Sequence, residues 1–186
     1  MKSLMSIAGD RIHTRDIRIA TYAAGEDSII VEGILLDQRL RESYYFTGEK
    51  KQPGTIHHMI VRLLLRGREL LIEDVEVEMP CVPREGCEEL RESLKPIIGL
   101  SISSGFTNEV KRRIGGVKSC YHLMALVLAM APAAVQGYFS FRALRPMGVE
   151  NIPQEERLKY IPVDTCRMWR RDGPLVRRVI DELGKL

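Results

Sequence analysis

Histidine and cysteine side chains at separated positions are the residues of this chain best suited to do chemistry. Imidazole nitrogen and thiolate sulfur are the donors that zinc and iron–sulfur units accept in proteins. Five such residues are the candidate metal ligands: His57, His58, Cys81, Cys120 and His122. They lie far apart in sequence, so a shared site requires strands and a helix that bring them together.

The segment that starts at His57 has the alternation of a β-strand with one buried face. From residue 57 to residue 65, the odd positions are apolar after His57, whereas the even positions include His58 and Arg62. This period of two places His57 on the buried face and His58 on the other face. A turn at Gly67 then leads into a second strand.

The alternation in the second strand of this hairpin predicts where Cys81 lies relative to His57. Its odd positions are again mostly apolar, with Glu73 as the exception. Pairing Leu65 with Leu71 sets His57 opposite Met79, and Cys81 follows just beyond it in phase with the buried face. The hairpin therefore predicts an imidazole and a thiol at one end of the sheet.

The stretch between Lys118 and Arg142 contains no charged residue and predicts the longest helix. Its length would allow a membrane span, but frequent alanines and the polar residues within it favour a central helix buried in the protein. Pro132 should kink or end this helix. The absence of a signal-like N-terminus favours a cytoplasmic protein that does not insert into a membrane.

Cys120 and His122 stand at the predicted start of that helix. Unpaired backbone N–H groups there favour a thiolate over a thiol. The two residues are about 200° apart around an ideal helix. Both can serve one site only if the first turn is irregular, or if one of them supports the other instead of binding directly.

Composition and element order predict one α+β domain. The 186 residues carry a net charge of +3, which argues against a nucleic-acid partner, and four cysteines do not form a disulfide framework. Strands at 17–22 and 29–37 precede the hairpin, which predicts a four-stranded antiparallel meander followed by helices packed on one face. The core should span about 11–142, with 143–186 as a C-terminal arm and helix packing on it; the oligomeric state stays open.

Several short motifs resemble a bacterial domain-of-unknown-function family, number 2889. The likeness covers residues from about 11 to 137, and the family pattern has an acid at the position of His58. The resemblance therefore implies membership of a family but implies no activity. The motifs are His57-His58-Met59, Ile72-Glu73-Asp74, Met79-Pro80-Cys81, Ser119-Cys120-Tyr121-His122-Leu123 and Val135-Gln136-Gly137.

A more distant likeness is to iron–sulfur scaffold proteins of the NifU N-terminal type. An Ile-Glu-Asp strand running to Cys81, and Cys120 with a leucine three residues later before an alanine-rich helix, are similar to elements of that family. The resemblance implies a NifU/SufE-like scaffold and a zinc or iron–sulfur cofactor. His57 and His58 stand where that family has a Cys-Gly-Asp segment.

Three functions follow from these patterns. The first is a scaffold-like protein that binds zinc or an iron–sulfur unit. The second is a cofactor-free enzyme or ligand-binding protein that uses Cys120 as a thiolate or His57 as a general base on a small organic or thioester substrate. The third is an interaction module, with a protein partner, in which the cysteines and histidines only fill the core.

Other candidates carry weaker signals. Cys87 and Cys166 lack the spacing of a zinc knuckle. A basic group near the N-terminus could hold a phosphate or carboxylate, or could be a solvated face, and a basic C-terminal group could be a docking arm. The first consists of Arg11, His13, Arg15 and Arg18, and the second of Arg167, Trp169, Arg170 and Arg171.

Overall fold

Four long antiparallel strands form the main sheet, which confirms the predicted α+β class. The computed structural model describes residues 3–146, 152–153, 156 and 161–184. In the main sheet the order is β1-β2-β5-β6, and the short strands β3 and β4 pair with each other. The strands are β1 His13–Ala23, β2 Ser28–Arg39, β3 Ser43–Tyr44, β4 Lys50–Lys51, β5 Gly54–Arg66 and β6 Leu71–Cys81. The β3–β4 hairpin lies in the polar stretch from residue 39 to residue 54, whose glycines and proline predict an exposed loop.

Helices follow the strands along the chain, in the predicted order. The apolar and charged residues from 85 to 97 predict a helix after β6, which is a 3-10 helix in the structure. The longest helix begins at Tyr121 instead of Lys118 and continues through Pro132. The chain divides into two units, Met1–Phe141 and Arg142–Leu186; packing of the C-terminal part on the core stays a prediction. The helices are 3-10 turns at Leu4–Ile7, Cys87–Ile97, Gly116–Lys118 and Arg167–Trp169, and α1 Phe106–Ile114, α2 Tyr121–Arg142 and α3 Pro174–Leu183.

One face of the sheet and the helices of the first unit share a single apolar core. Alternate residues of β2 and β5 are buried, which is the period of two expected for strands covered on one face. The helices bury side chains from one stripe each against the same core. The fully buried residues include Ile29, Leu35, Met59, Leu63, Ile72, Leu94, Ile114, Leu123, Leu126 and Met130.

The register between β5 and β6 differs from the predicted one. The turn joins Arg66 to Leu71, so Leu65 pairs with Ile72 and Leu71 is exposed; one extra residue of β6, Glu73, then shifts the register further. This bulge also explains why Glu73 breaks the apolar alternation. A second irregularity lies between the pair Ile60–Glu78 and the pair His58–Cys81. The predicted pairing of His57 with Met79 is therefore wrong.

Helix α2 is long and apolar enough to cross a membrane by length and composition. The same properties are typical of a core helix. Six of its residues are buried in the first unit, at the spacing of one helical stripe. They are Leu123, Leu126, Val127, Met130, Ala134 and Tyr138.

Glycines allow α2 to approach the sheet closely at two points. A Cβ added to Gly33 on β2 would lie 2.7 Å from Met130 Sδ, and one added to Gly137 on α2 would lie 2.1 Å from Thr21 Oγ1. Distances this short cannot be occupied by a methyl group. Close packing of α2 over β1 and β2 therefore requires the smallest residue at both positions.

Gly137→Ala should destabilise the protein, although alanine favours a helix by about 1 kcal/mol over glycine. The added Cβ would also lie 2.7 Å from Thr21 Cβ, which no rotamer change can move. We expect a net loss of about 1–2 kcal/mol in the free energy of unfolding, measured by urea denaturation. Gly9→Ala is the control, because nothing lies within 4 Å of that position; equal stability of the two variants would refute the close contact.

Candidate functional site

Three polar residues form a row across three neighbouring strands, on the face that the helices cover. Arg15 on β1 pairs directly with Asp37 on β2, and Asp37 pairs directly with His57 on β5. Residues that oppose one another on adjacent strands point to the same face of a sheet. The antiparallel register therefore brings together side chains that are distant in the sequence.

Asp37 is the centre of this row and is almost fully buried, with 2% of its side chain exposed. Arg15 donates to both carboxylate oxygens, from Nε and Nη2, each over 2.6 Å. His57 Nδ1 lies 2.9 Å from Asp37 Oδ2. Such two-pronged pairing is the strong form of a carboxylate–guanidinium contact, and it compensates a charge that water cannot reach.

His122 reaches the row from the first turn of α2. Its Nε2 lies 3.9 Å from Asp37 Oδ2, and its ring centroid lies 3.9 Å from that of His57, with the planes tilted by 34°. A hydrogen bond of 2.7 Å between the hydroxyls of Ser93 and Ser119 holds the segment that precedes α2. Two imidazoles and one carboxylate thus meet at one end of the sheet.

Cys120 stands immediately before α2, where its carbonyl accepts the first helical hydrogen bond, from the Met124 N–H over 3.0 Å. Its Sγ lies 3.7 Å from His122 Nδ1. Because Cys120 precedes the helix, the 200° separation of an ideal helix does not apply. The irregular start lets Cys120 and His122 be neighbours, with the thiol on the Nδ1 side of the ring and the carboxylate nearer Nε2.

The surroundings shift the pKa values of two of these groups. Burial raises the pKa of Asp37, but the hydrogen bonds and charge of Arg15, together with those of His57, outweigh it and hold that pKa below its ordinary value. Burial lowers the pKa of His122, and the nearby His57 and Arg15 lower it further. Near neutral pH the site therefore contains an ionised carboxylate and an imidazole that favours its neutral form.

Two imidazoles beside a carboxylate are suited to hold a metal ion. One donor atom from each of Asp37, His57 and His122 lies within 4.8 Å of the others. Two histidines and one carboxylate are a common donor set for divalent iron and for zinc, and they leave coordination positions open. Among the described residues this group contains two of the predicted ligands, His57 and His122.

The remaining predicted ligands occupy other places. His58 alternates with the buried His57 along β5 and faces away from it. Cys81 pairs with His58 and therefore shares its face, so the predicted position of Cys81 on the buried face is wrong; its Sγ lies 3.6 Å from the carbonyl oxygen of Thr55. Direct metal binding by these two residues, and by Cys120, stays a prediction. Cys87 is half-buried beside the core, and Cys166 is exposed.

Asp37 is the residue that the sequence analysis missed. It continues the buried odd-numbered positions of β2, after Ile29, Val31 and Leu35. A buried acid destabilises the fold unless a cation or hydrogen-bond donor pairs with it. An aspartate at a core-facing position of a strand was therefore the sequence signal that could have identified Asp37. Arg15 and His13 were recognised only as a general anion-binding group, whereas Arg15 is the partner of Asp37 and His13 Nε2 lies 3.8 Å from it.

Fold and site together define an α+β protein with two histidines and one carboxylate gathered over a sheet. A family model described as protein of unknown function (DUF2889) matches residues 13–136. The match covers more than half of the chain, which therefore belongs to this family. Searches of curated proteins and of solved structures found no match. The resemblance to NifU-type scaffold proteins has no support from these comparisons.

Arg15→Met should destabilise the protein by about 1–3 kcal/mol, because the buried Asp37 carboxylate would lose its cation. The range lies below that of a fully buried pair, since a third of the Arg15 side chain is exposed. Arg18→Met on the same strand is the matched control and should change the free energy of unfolding by less than about 0.5 kcal/mol. Similar urea midpoints for the two variants would show that the row contributes nothing.

Proposed function

We propose that this protein binds a divalent transition-metal ion, zinc or iron(II), through Asp37, His57 and His122. The observation that carries the proposal is the convergence of their donor atoms within 4.8 Å. The three residues come from two strands and a helix, and each has a buried or half-buried side chain. Groups held in this way need little reorganisation to surround an ion.

The distances support this donor set. Zinc lies about 2.0–2.2 Å from nitrogen and oxygen ligands, which puts neighbouring donors about 3 Å apart. Asp37 Oδ2 and His57 Nδ1 are already 2.9 Å apart. His122 Nε2, at 3.9 Å from the same oxygen, would have to move inwards by less than the length of a bond. A metal bound by both groups would replace the hydrogen-bond contact between Asp37 Oδ2 and His57 Nδ1.

A mononuclear ion fits better than an iron–sulfur cluster. Clusters are held mainly by cysteine thiolates. Of the predicted cysteine ligands, Cys81 contacts backbone carbonyls of β5, and Cys120 lies on the Nδ1 side of His122. Cys120 is placed to accept a hydrogen bond from His122 Nδ1 while Nε2 binds the metal, which would fix the tautomer of the ring.

Zinc or iron(II) binding should depend on His57 and His122. We expect His57→Ala and His122→Ala each to weaken binding by at least about 100-fold, because each removes a direct ligand. Isothermal titration with zinc, and with iron(II) under anaerobic conditions, measures this.

His58→Ala is the matched control for the metal experiment, since His58 is the next residue on the same strand and faces the opposite way. It should bind the metal as the wild type does. Absence of micromolar binding in the wild type, or an equal loss in His57→Ala and His58→Ala, would contradict the proposal.

The contact between Cys120 and His122 favours a second function, an enzyme that uses a thiol nucleophile without a metal. His122 Nδ1 would accept the thiol proton, and the sulfur would attack the carbonyl carbon of a thioester. A new carbon–sulfur bond forms as the substrate's own thiol leaves and takes the proton from His122. Asp37, beyond Nε2, would stabilise the charged imidazole formed between these steps.

Alkylation of Cys120 by iodoacetamide at neutral pH tests this second function. If His122 activates the thiol, His122→Ala should slow modification of Cys120 by about tenfold. Cys166 is an internal control, because it is exposed and lies in the other unit. Peptide mass analysis follows both sites in one sample. Equal rates at Cys120 in wild type and variant would exclude activation by His122.

A further inference from the structure

Arg15 has hydrogen-bonding capacity that Asp37 does not use. A guanidinium has five N–H donors in a rigid plane, and Asp37 takes one from Nε and one from Nη2. Its side chain makes no other hydrogen bond with the residues that the structure describes. Of the three remaining N–H groups, one on Nη1 and one on Nη2 share a second edge of the guanidinium, and a third of the side chain is exposed. That edge offers a second two-pronged binding surface.

Two exposed polar side chains border the site. His13, two residues before Arg15 on the same face of β1, has 45% of its side chain exposed and its Nε2 3.8 Å from Asp37 Oδ1. Tyr121 is 67% exposed and lies edge-on to the His122 ring. An imidazole and a phenol are thus exposed at the border of the site.

The position of β1 leaves this surface accessible. β1 is an edge strand of the main sheet, so its far side has no strand partner in the described part of the chain. Arg15 therefore reaches Asp37 from the rim of the sheet instead of from its middle. A small molecule could approach from that rim without displacing the core.

The charges of the site indicate what such a molecule would be. Asp37 and Arg15 cancel one another, and histidines bind metals as neutral donors. A divalent ion would therefore leave two uncompensated positive charges in a half-buried site, beside coordination positions that the three protein ligands do not fill. An anionic oxygen ligand would satisfy the metal and the free edge of Arg15 together.

We infer that the ligand of this site is a small molecule bearing a carboxylate or phosphate group, held by the N–H groups of Arg15 that Asp37 does not use. The inference deepens the proposed metal-binding function and rests on it for the positive charge. Both anions have two oxygens that match the spacing of the guanidinium donors. Arg18 does not take part, because it lies on the opposite face of β1.

Titration of the full chain with acetate and with methylphosphonate, followed by two-dimensional NMR, tests the inference. Zinc affinity is first measured for each protein. In the zinc-loaded wild type we expect saturable shifts at residues around Arg15. Arg15→Met should weaken anion binding by about tenfold or more, the worth of a charged two-pronged hydrogen bond. Arg15→Lys keeps the positive charge but loses the planar pair of N–H donors, so it should retain an intermediate affinity for the anions.

Arg18→Met is the matched control and should bind the anions within about twofold of the wild type, since a surface change of about 0.5 kcal/mol or less corresponds to that factor. Asp37→Asn separates the two functions: zinc affinity should fall, whereas anion affinity of the zinc-free protein should rise because Arg15 is released. If the wild type binds zinc but gives no saturable anion shifts, or if Arg15→Met and Arg18→Met behave alike, the inference is overturned and the metal site stands.

A wild type that fails to bind zinc would refute the proposed metal function instead. In that case the same titration of the zinc-free protein decides the anion site. Saturable binding that is lost in Arg15→Met and kept in Arg18→Met supports recognition by Arg15. Absence of such binding overturns it.

Discussion

The buried carboxylate of Asp37 is the constraint on which the site depends. An ionised acid with 2% exposure is tolerated only where other groups replace the hydration it has lost. Arg15 and His57 do this from the two neighbouring strands, and they keep the pKa of Asp37 low although burial opposes it. The arrangement fixes the positions of three side chains across the sheet. It also leaves one oxygen of the carboxylate beside two imidazoles, where a cation would be attracted.

Close packing of α2 over the sheet brings the fourth residue, His122, to this row. The helix can lie near β1 and β2 because Gly33 and Gly137 have no side chains, and a hydrogen bond at Ser119 holds the segment that precedes it. The polar row therefore lies at the edge of the same interface that buries the apolar core. Site geometry and core packing depend on one another.

Much of this architecture could be predicted from the sequence. The alternation of apolar residues correctly predicted that His57 faces the core and that His58 faces away from it. The order of strands followed by helices correctly predicted the α+β class, with α2 as the long apolar helix. The register between β5 and β6 could not be predicted, because Leu71 and Ile72 are both apolar, so the sequence hides the change of the buried face from even to odd positions at Glu73. The partner of His57 is on β2, and such a non-local pairing is not visible in a hairpin considered alone.

The irregular start of α2 was another feature that periodicity could not give. An ideal helix separates Cys120 and His122, but here the first of them precedes the helix. Asp37 could have been found, since it interrupts a buried face, yet its role depended on a register that only the whole sheet defines. The predicted faces of His57 and His58 were right, whereas those of Leu71 and Cys81 were wrong because they depended on the register between β5 and β6.

The four residues of the site stand at positions 15, 37, 57 and 122, so no single hairpin or helix contains it. Each contact between such distant segments requires closure of a long loop. The site therefore exists only when three strands and α2 are assembled. An ion or small molecule that needs all four residues binds the native chain and raises the melting temperature by an amount that grows with the logarithm of its free concentration. Thermal stability of the intact domain is for this reason a direct report of what the site accepts.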